Sequence, residues 1–308
     1  MERIIIDTDP GVDDAHAIMM ALAYPGVKVE ALTVVGGNVG LANTVANACK
    51  VLDVMAADVP VYAGCERPFL HPAENAAHVH GDDGLGDAGL PPSQRIVESE
   101  HASAALVRMV NEAPGELTLV ALGPLTNVAV ALKLDPALPE KLKRLVIMGG
   151  AIHAHGNTRN VSAEFNIYAD PEAAYLVFEA WPQLTMVSWE TTVAQGFPME
   201  LMQEWMAWEN PRARFFRSII TKTLLLLGQK FGRPLFYGAD ELAMAVALEP
   251  EIVQEVKEHF VSVELNGRYT RGQTTVDWDD FTGLPANANI ILKVDQERFV
   301  ALMEQGLA

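Results

Sequence analysis

Cysteine is nearly absent, with only Cys49 and Cys65 in 308 residues. Neither has metal-ligand spacing, which excludes a disulfide-stapled scaffold and a zinc module and predicts free thiols in a reducing cytoplasm. Long apolar runs are missing too. Stretches such as 117–122 stop far short of the roughly 20 residues that a membrane span needs. The start, Met1-Glu2-Arg3-Ile4-Ile5-Ile6-Asp7, reaches an acid at once, and its apolar run is too short for a signal peptide. A cytoplasmic protein without membrane contact is expected. Basic residues are scarce: 22 Lys and Arg stand against 40 Asp and Glu, a net charge of −18. Phosphate backbones demand a basic footprint, so nucleic acid is excluded as a partner. The acid excess suits a neutral or cationic ligand or a metal ion, and most of it reads as a solubilising surface.

What is present is ordinary globular composition, 50% hydrophobic and 20% charged, enough for a large core. Apolar runs of four to eight residues alternate with helical patterns, the signature of a mostly parallel sheet. Strands are predicted at 3–7, 29–35, 117–122, 144–148 and 184–188. Helices are predicted at 14–23, 42–55, 102–112, 125–134, 171–179 and 239–248. Segments near 260–265 and 289–293 read as an appended antiparallel edge. With no linker or repeat, the expectation is a single α/β domain over 1–308, a central sheet flanked by helices with a Rossmann-like core. The stretches 68–98 and 198–236 read as lids or insertions.

The densest signal follows the first strand: Asp7-Thr8-Asp9-Pro10-Gly11-Val12-Asp13-Asp14-Ala15. Loops at the carboxyl ends of strands line the crevice of an open α/β sheet. Pro10 and Gly11 make a tight turn, and Asp13 or Asp14 caps the next helix. A capped turn with solvated acids does not explain four carboxylates side by side, because like charges repel unless a cation lies among them. Asp9 and Asp14 are placed to give a hard cation its oxygen ligands. Magnesium in a phosphatase would use the same chemistry, so the cluster alone specifies a metal and no reaction.

Taken with other segments in order, the chain resembles the inosine-uridine-preferring nucleoside hydrolase family. Its D-x-D-P-G-x-D-D-A opening is matched in full. Val34-Val35-Gly36-Gly37-Asn38, His78-Val79-His80-Gly81, Gly123-Pro124-Leu125-Thr126-Asn127, Met148-Gly149-Gly150, Ala163-Glu164-Phe165-Asn166-Ile167 and Asp170-Pro171-Glu172-Ala173-Ala174 follow, with a later match around Asp240. The resemblance implies calcium-dependent hydrolysis of the N-glycosidic bond of ribonucleosides, in purine or pyrimidine salvage, by a homodimer or homotetramer. It implies a Ca2+ ion held by Asp9, Asp14, Asp240 and the backbone carbonyl of Leu122, with Asp9 as the general base toward a water at the ion. Asn38, Glu164 and Asn166 match ribose-binding residues, and Asp13, Asp14 and Asp240 face the same substrate. Asn157 or Asn160 should add an amide contact; the spacing to Glu164 is off by one residue, with Asn157 preferred. His80 belongs to a loop that closes over the base.

One position departs from the pattern. Many members carry a histidine before the last metal-binding aspartate that helps protonate the departing base, and this chain has Ala239. An aromatic residue stacked on the base (Trp189 or Tyr237), another donor (Lys222 or Tyr237) or solvent would have to serve. Two rival readings follow from the same residues: a metal-dependent phosphohydrolase, which usually needs a basic residue for phosphate, and a nucleoside-binding protein that has lost turnover.

Overall fold

In the computed structural model the described residues are 1–231 and 235–308, without the side chains of 226–231. Eight strands form one sheet: β1 Glu2–Thr8, β2 Val27–Val34, β3 Val61–Ala63, β4 Leu117–Ala121, β5 Arg144–Met148, β6 Leu184–Val187, β7 Val253–His259 and β8 Ala288–Val294, in the order β3-β2-β1-β4-β5-β6-β8-β7. Ile4, Ile5 and Ile6 are all fully buried in β1 because helices cover both faces of this central strand. On one face lie α1 Val12–Ala23, α2 Leu41–Val54, the helix Ala239–Leu248 and the helix Gln296–Leu307. The helices Ala102–Glu112, Thr126–Leu134 and Pro171–Ala180 cover the other. The fold is thus a single-domain α/β sandwich.

The predicted elements recur within two residues of their expected ends, but the edge differs. The strand at Ala288–Val294 runs parallel to β6 inside the sheet, and the antiparallel edge is β7, pairing with β8. Val261–Val263 lies apart, in a two-stranded ribbon with Thr274–Val276. The charged sequence of β7 hid it, since most of its residues are exposed and carry no apolar alternation. The 198–236 segment contains the helices Met199–Met206 and Pro211–Phe231; positions 232–234 of that expected insertion lie outside the described residues. Among the described residues no helix is long and apolar enough to cross a membrane.

Chain direction sets the site. From β1 the sheet grows to β2 and β3 on one side and to β4, β5 and β6 on the other, so the order reverses between β1 and β4. A crevice opens at such a reversal, outside the carboxyl ends of the strands. The acidic loop after β1 and the Leu122–Gly123 turn after β4 end on it.

Candidate active site

A cavity of about 440 Å³ opens at this point, lined by residues from many parts of the chain that include Asp13, Asn38, His80, Leu122, Glu164, Asn166 and Asp240. Its floor is acidic. Carboxylate oxygens of Asp13, Asp14 and Asp240 lie within 4.8 Å of one another, which joins the start of α1 to a helix more than 220 residues later. Asp14 is fully buried and heavily bonded: Oδ1 accepts from the Thr8 hydroxyl at 2.5 Å and the Asp9 amide at 3.2 Å, and Oδ2 accepts from the Gly11 amide at 2.9 Å and the Asn38 side chain at 3.0 Å. Asp9 Oδ2 accepts from the Asn38 amide at 2.6 Å, whereas its Oδ1 is buried with no partner among the described residues. Burial, then the charge of Asp14, raises the Asp9 carboxyl well above the usual carboxylate range. Burial and the neighbouring aspartates do the same to Asp240. Clustered buried acids with an orphaned oxygen and no lysine or arginine on the described cavity wall fit a divalent cation.

Glu164 caps the short helix Phe165–Ala169, accepting from the amides of Asn166 at 2.8 Å, Gly150 at 3.0 Å and Ile167 at 3.2 Å. Burial nevertheless pushes its carboxyl up to about 7. Asn166 turns its amide onto the main-chain oxygens of Leu122 at 2.6 Å and Met148 at 3.1 Å. The Leu122 carbonyl keeps a second lone pair. His80 Nδ1 accepts from the Val12 amide at 3.1 Å, so its ring proton sits on Nε2, and burial lowers its pKa to about 4. A neutral Nε2–H donor therefore faces the cavity.

The two asparagine candidates separate. Asn157 lines the cavity. The Asn160 side chain is already committed, donating to the carbonyl of the distant Arg271 at 2.5 Å and accepting from Thr158 and the Ala163 amide of its own loop. Trp189 and Tyr237 both line the cavity, ring centroids 6.1 Å apart and edge-on. Lys222 does not line the cavity; it pairs with Asp87 on the outside of the helix Pro211–Phe231, which removes it as a proton donor to a bound base. His78, which the sequence marks only as part of the loop motif it shares with His80, lines the cavity, and so does His155, which sequence reading missed. The signal for His155 was its place two residues before Asn157, on a loop whose amides at Ile152, His153 and His155 all donate to Glu190.

A deep, partly polar cavity at the switch point of a parallel sheet marks an enzyme pocket. The chain belongs to the family described as inosine-uridine preferring nucleoside hydrolase, whose model matches residues 4–301. It is 34% identical over 303 residues to the pyrimidine-specific ribonucleoside hydrolase RihB of Escherichia coli (strain K12), covering 98% of this chain and 96% of that one. Among solved structures it resembles an inosine-guanosine nucleoside hydrolase (38% identity, TM-score 0.92, 99% and 98% of the two chains). It also resembles a purine-preferring ribonucleoside hydrolase from Gardnerella vaginalis (30%, TM-score 0.91, 99% and 98%). Like these relatives the chain is a hydrolase acting on N-glycosyl compounds, and the phosphohydrolase reading is not favoured.

Proposed function

We propose that the protein hydrolyses ribonucleosides to ribose and free base with calcium on the cavity floor and Asp9 as general base. The observation that carries this reading is the unpartnered, buried Oδ1 of Asp9 beside the Asp13–Asp14–Asp240 cluster. Asp9, Asp14, Asp240 and the main-chain carbonyl of Leu122 would hold the ion, an all-oxygen set that suits calcium. When bound, calcium supplies a positive charge that neutralises the cluster and acidifies water.

Asp9 Oδ1 is a buried acceptor beside the floor that accepts no hydrogen bond among the described residues, and its raised basicity suits it to take a proton from water as the oxygen attacks C1′. The C1′–N bond breaks, its electron pair leaves with the base, and the base gains a proton. Positive charge that develops on the sugar is met by the surrounding carboxylates and amide oxygens. Asn38, Asn157, Glu164, Asn166 and Asp13 bind the ribose, with the His80 Nε2–H as a further donor; holding the sugar makes attack near-unimolecular. Trp189 contacts the base on the aromatic wall. Ala239 gives no proton, so Tyr237, His78, His155 or solvent completes base departure.

The test is release of reducing sugar from inosine, guanosine, uridine and cytidine with calcium present. Ribose from at least one is expected, with no phosphate from the matching nucleotides. Binding without turnover on long incubation would favour the binding-protein reading instead.

A further inference from the structure

Behind the acidic floor, away from the cavity, a second pair of ionisable side chains is completely enclosed. His16 lies on α1 two positions after Asp14, and Glu241 directly follows Asp240 on the helix Ala239–Leu248; both side chains are 0% exposed. His16 Nδ1 is 3.2 Å from Glu241 Oε1, and Nε2 is 3.0 Å from the main-chain oxygen of Met303 on the helix Gln296–Leu307. The chemistry proposed above uses neither residue, and neither lines the cavity. Burying such a pair is costly, and apolar residues of similar volume often serve a core as well or better.

Hydrogen-bond valence fixes the pair's composition. A carbonyl oxygen only accepts, so Nε2 carries a hydrogen. Nδ1 and Oε1 at bonding distance then need one proton between them, as imidazole with carboxylic acid or as imidazolium with carboxylate. The pair is net neutral either way, so it adds no charge to the floor.

What it adds is attachment. One imidazole links the helix that carries Asp14, the helix that carries Asp240 and a third helix packed behind both. Gly238 at the N-cap of the Asp240 helix offers no side-chain bond to the first turn. Glu241 stands third in that helix, where an acid commonly folds back onto the cap amide, but here it reaches His16. The imidazole is held in turn against Phe216, centroids 4.6 Å apart, and Trp205 at 6.5 Å.

We infer that the His16–Glu241 pair is a positioning brace that sets the spacing of Asp14 and Asp240 and thereby the affinity of the floor for its cation. The inference rests on the metal reading above. Calorimetric titration of calcium into the metal-free full-length protein, without substrate, tests it. The double variant His16→Leu/Glu241→Leu strands no buried charge; it should melt near the wild type when metal-free yet bind calcium at least about tenfold more weakly. Glu241→Gln, whose amide can donate to Nδ1, should stay within about threefold of wild type. Wild-type affinity in the double variant, or an equal loss in Glu241→Gln, overturns the brace. Should the double variant not fold, Glu241→Met carries the same comparison. Absence of calcium binding by the wild type would sink the metal reading itself, a result distinct from either.

Discussion

Replacing Asp9 by asparagine isolates the proton-accepting role, because the structure dictates how the amide must sit. Oδ2 faces the Asn38 amide at 2.6 Å, so the new side chain keeps its oxygen there. The NH2 group then takes the place of Oδ1, the buried oxygen that has no partner and lies against Gly123. One free acceptor becomes a donor, while shape and burial are preserved. General-base catalysis contributes about 10²- to 10⁴-fold, or roughly 2.7 to 5.4 kcal/mol of barrier. The substitution should lower kcat by that factor in a reducing-sugar assay. Since Asp9 is also a proposed cation ligand, the comparison belongs at calcium concentrations that saturate each protein by direct titration. A loss of less than about tenfold at saturation would remove Asp9 as the base.

Three further outcomes are expected. Gly123→Ala would put a methyl group about 2.9 Å from the Asp9 carboxyl carbon; with Oδ2 pinned by Asn38, Asp9 must tilt, and kcat should fall at least about tenfold while the melting temperature changes little. Ala239→His should raise the hydrolysis rate of inosine or uridine if base protonation limits it, and no gain for either would show that another group already supplies the proton. Burial pushes Asp7 up to about 7 from an unfolded value of 3.8, and its Oδ2 has no hydrogen-bond partner among the described residues. A raised acid is most stable protonated, so this group costs stability as pH climbs from its unfolded to its folded pKa, reaching about 4 kcal/mol above pH 7. Asp7→Asn should therefore stabilise the protein by roughly 3 kcal/mol more at pH 8 than at pH 5 in urea unfolding, and an equal effect at both would contradict this.

Much of this architecture was legible where the chemistry is local. The isoleucine run of β1 signals a strand buried on both faces, and the Asp-Pro-Gly turn behind it places carboxylates at the switch point. Convergence of Asp240 on Asp14 is a long-range fact that no spacing encodes; only the family resemblance pointed to it. Position β7 escaped because an edge strand exposed on most of its length need not alternate. The helix Gln296–Leu307, which supplies the carbonyl under His16, was likewise missed. Spacing gave only a preference for Asn157 over Asn160; the fold shows the Asn160 amide taken up by the Arg271 carbonyl and the Ala163 amide, while Asn157 lines the cavity. His16 reads in the sequence as one polar residue inside an apolar helix; only its contact with Glu241 gives it meaning.

The proposed chemistry needs a cation seated among side chains from distant parts of the chain. Crystals grown with calcium, measured at a wavelength where calcium scatters anomalously, test that directly. One peak on the cavity floor, within about 2.6 Å of oxygens from Asp9, Asp14, Asp240 and the Leu122 main chain, is the expected result. An empty floor at millimolar calcium, or a peak that excludes Asp240, would contradict it.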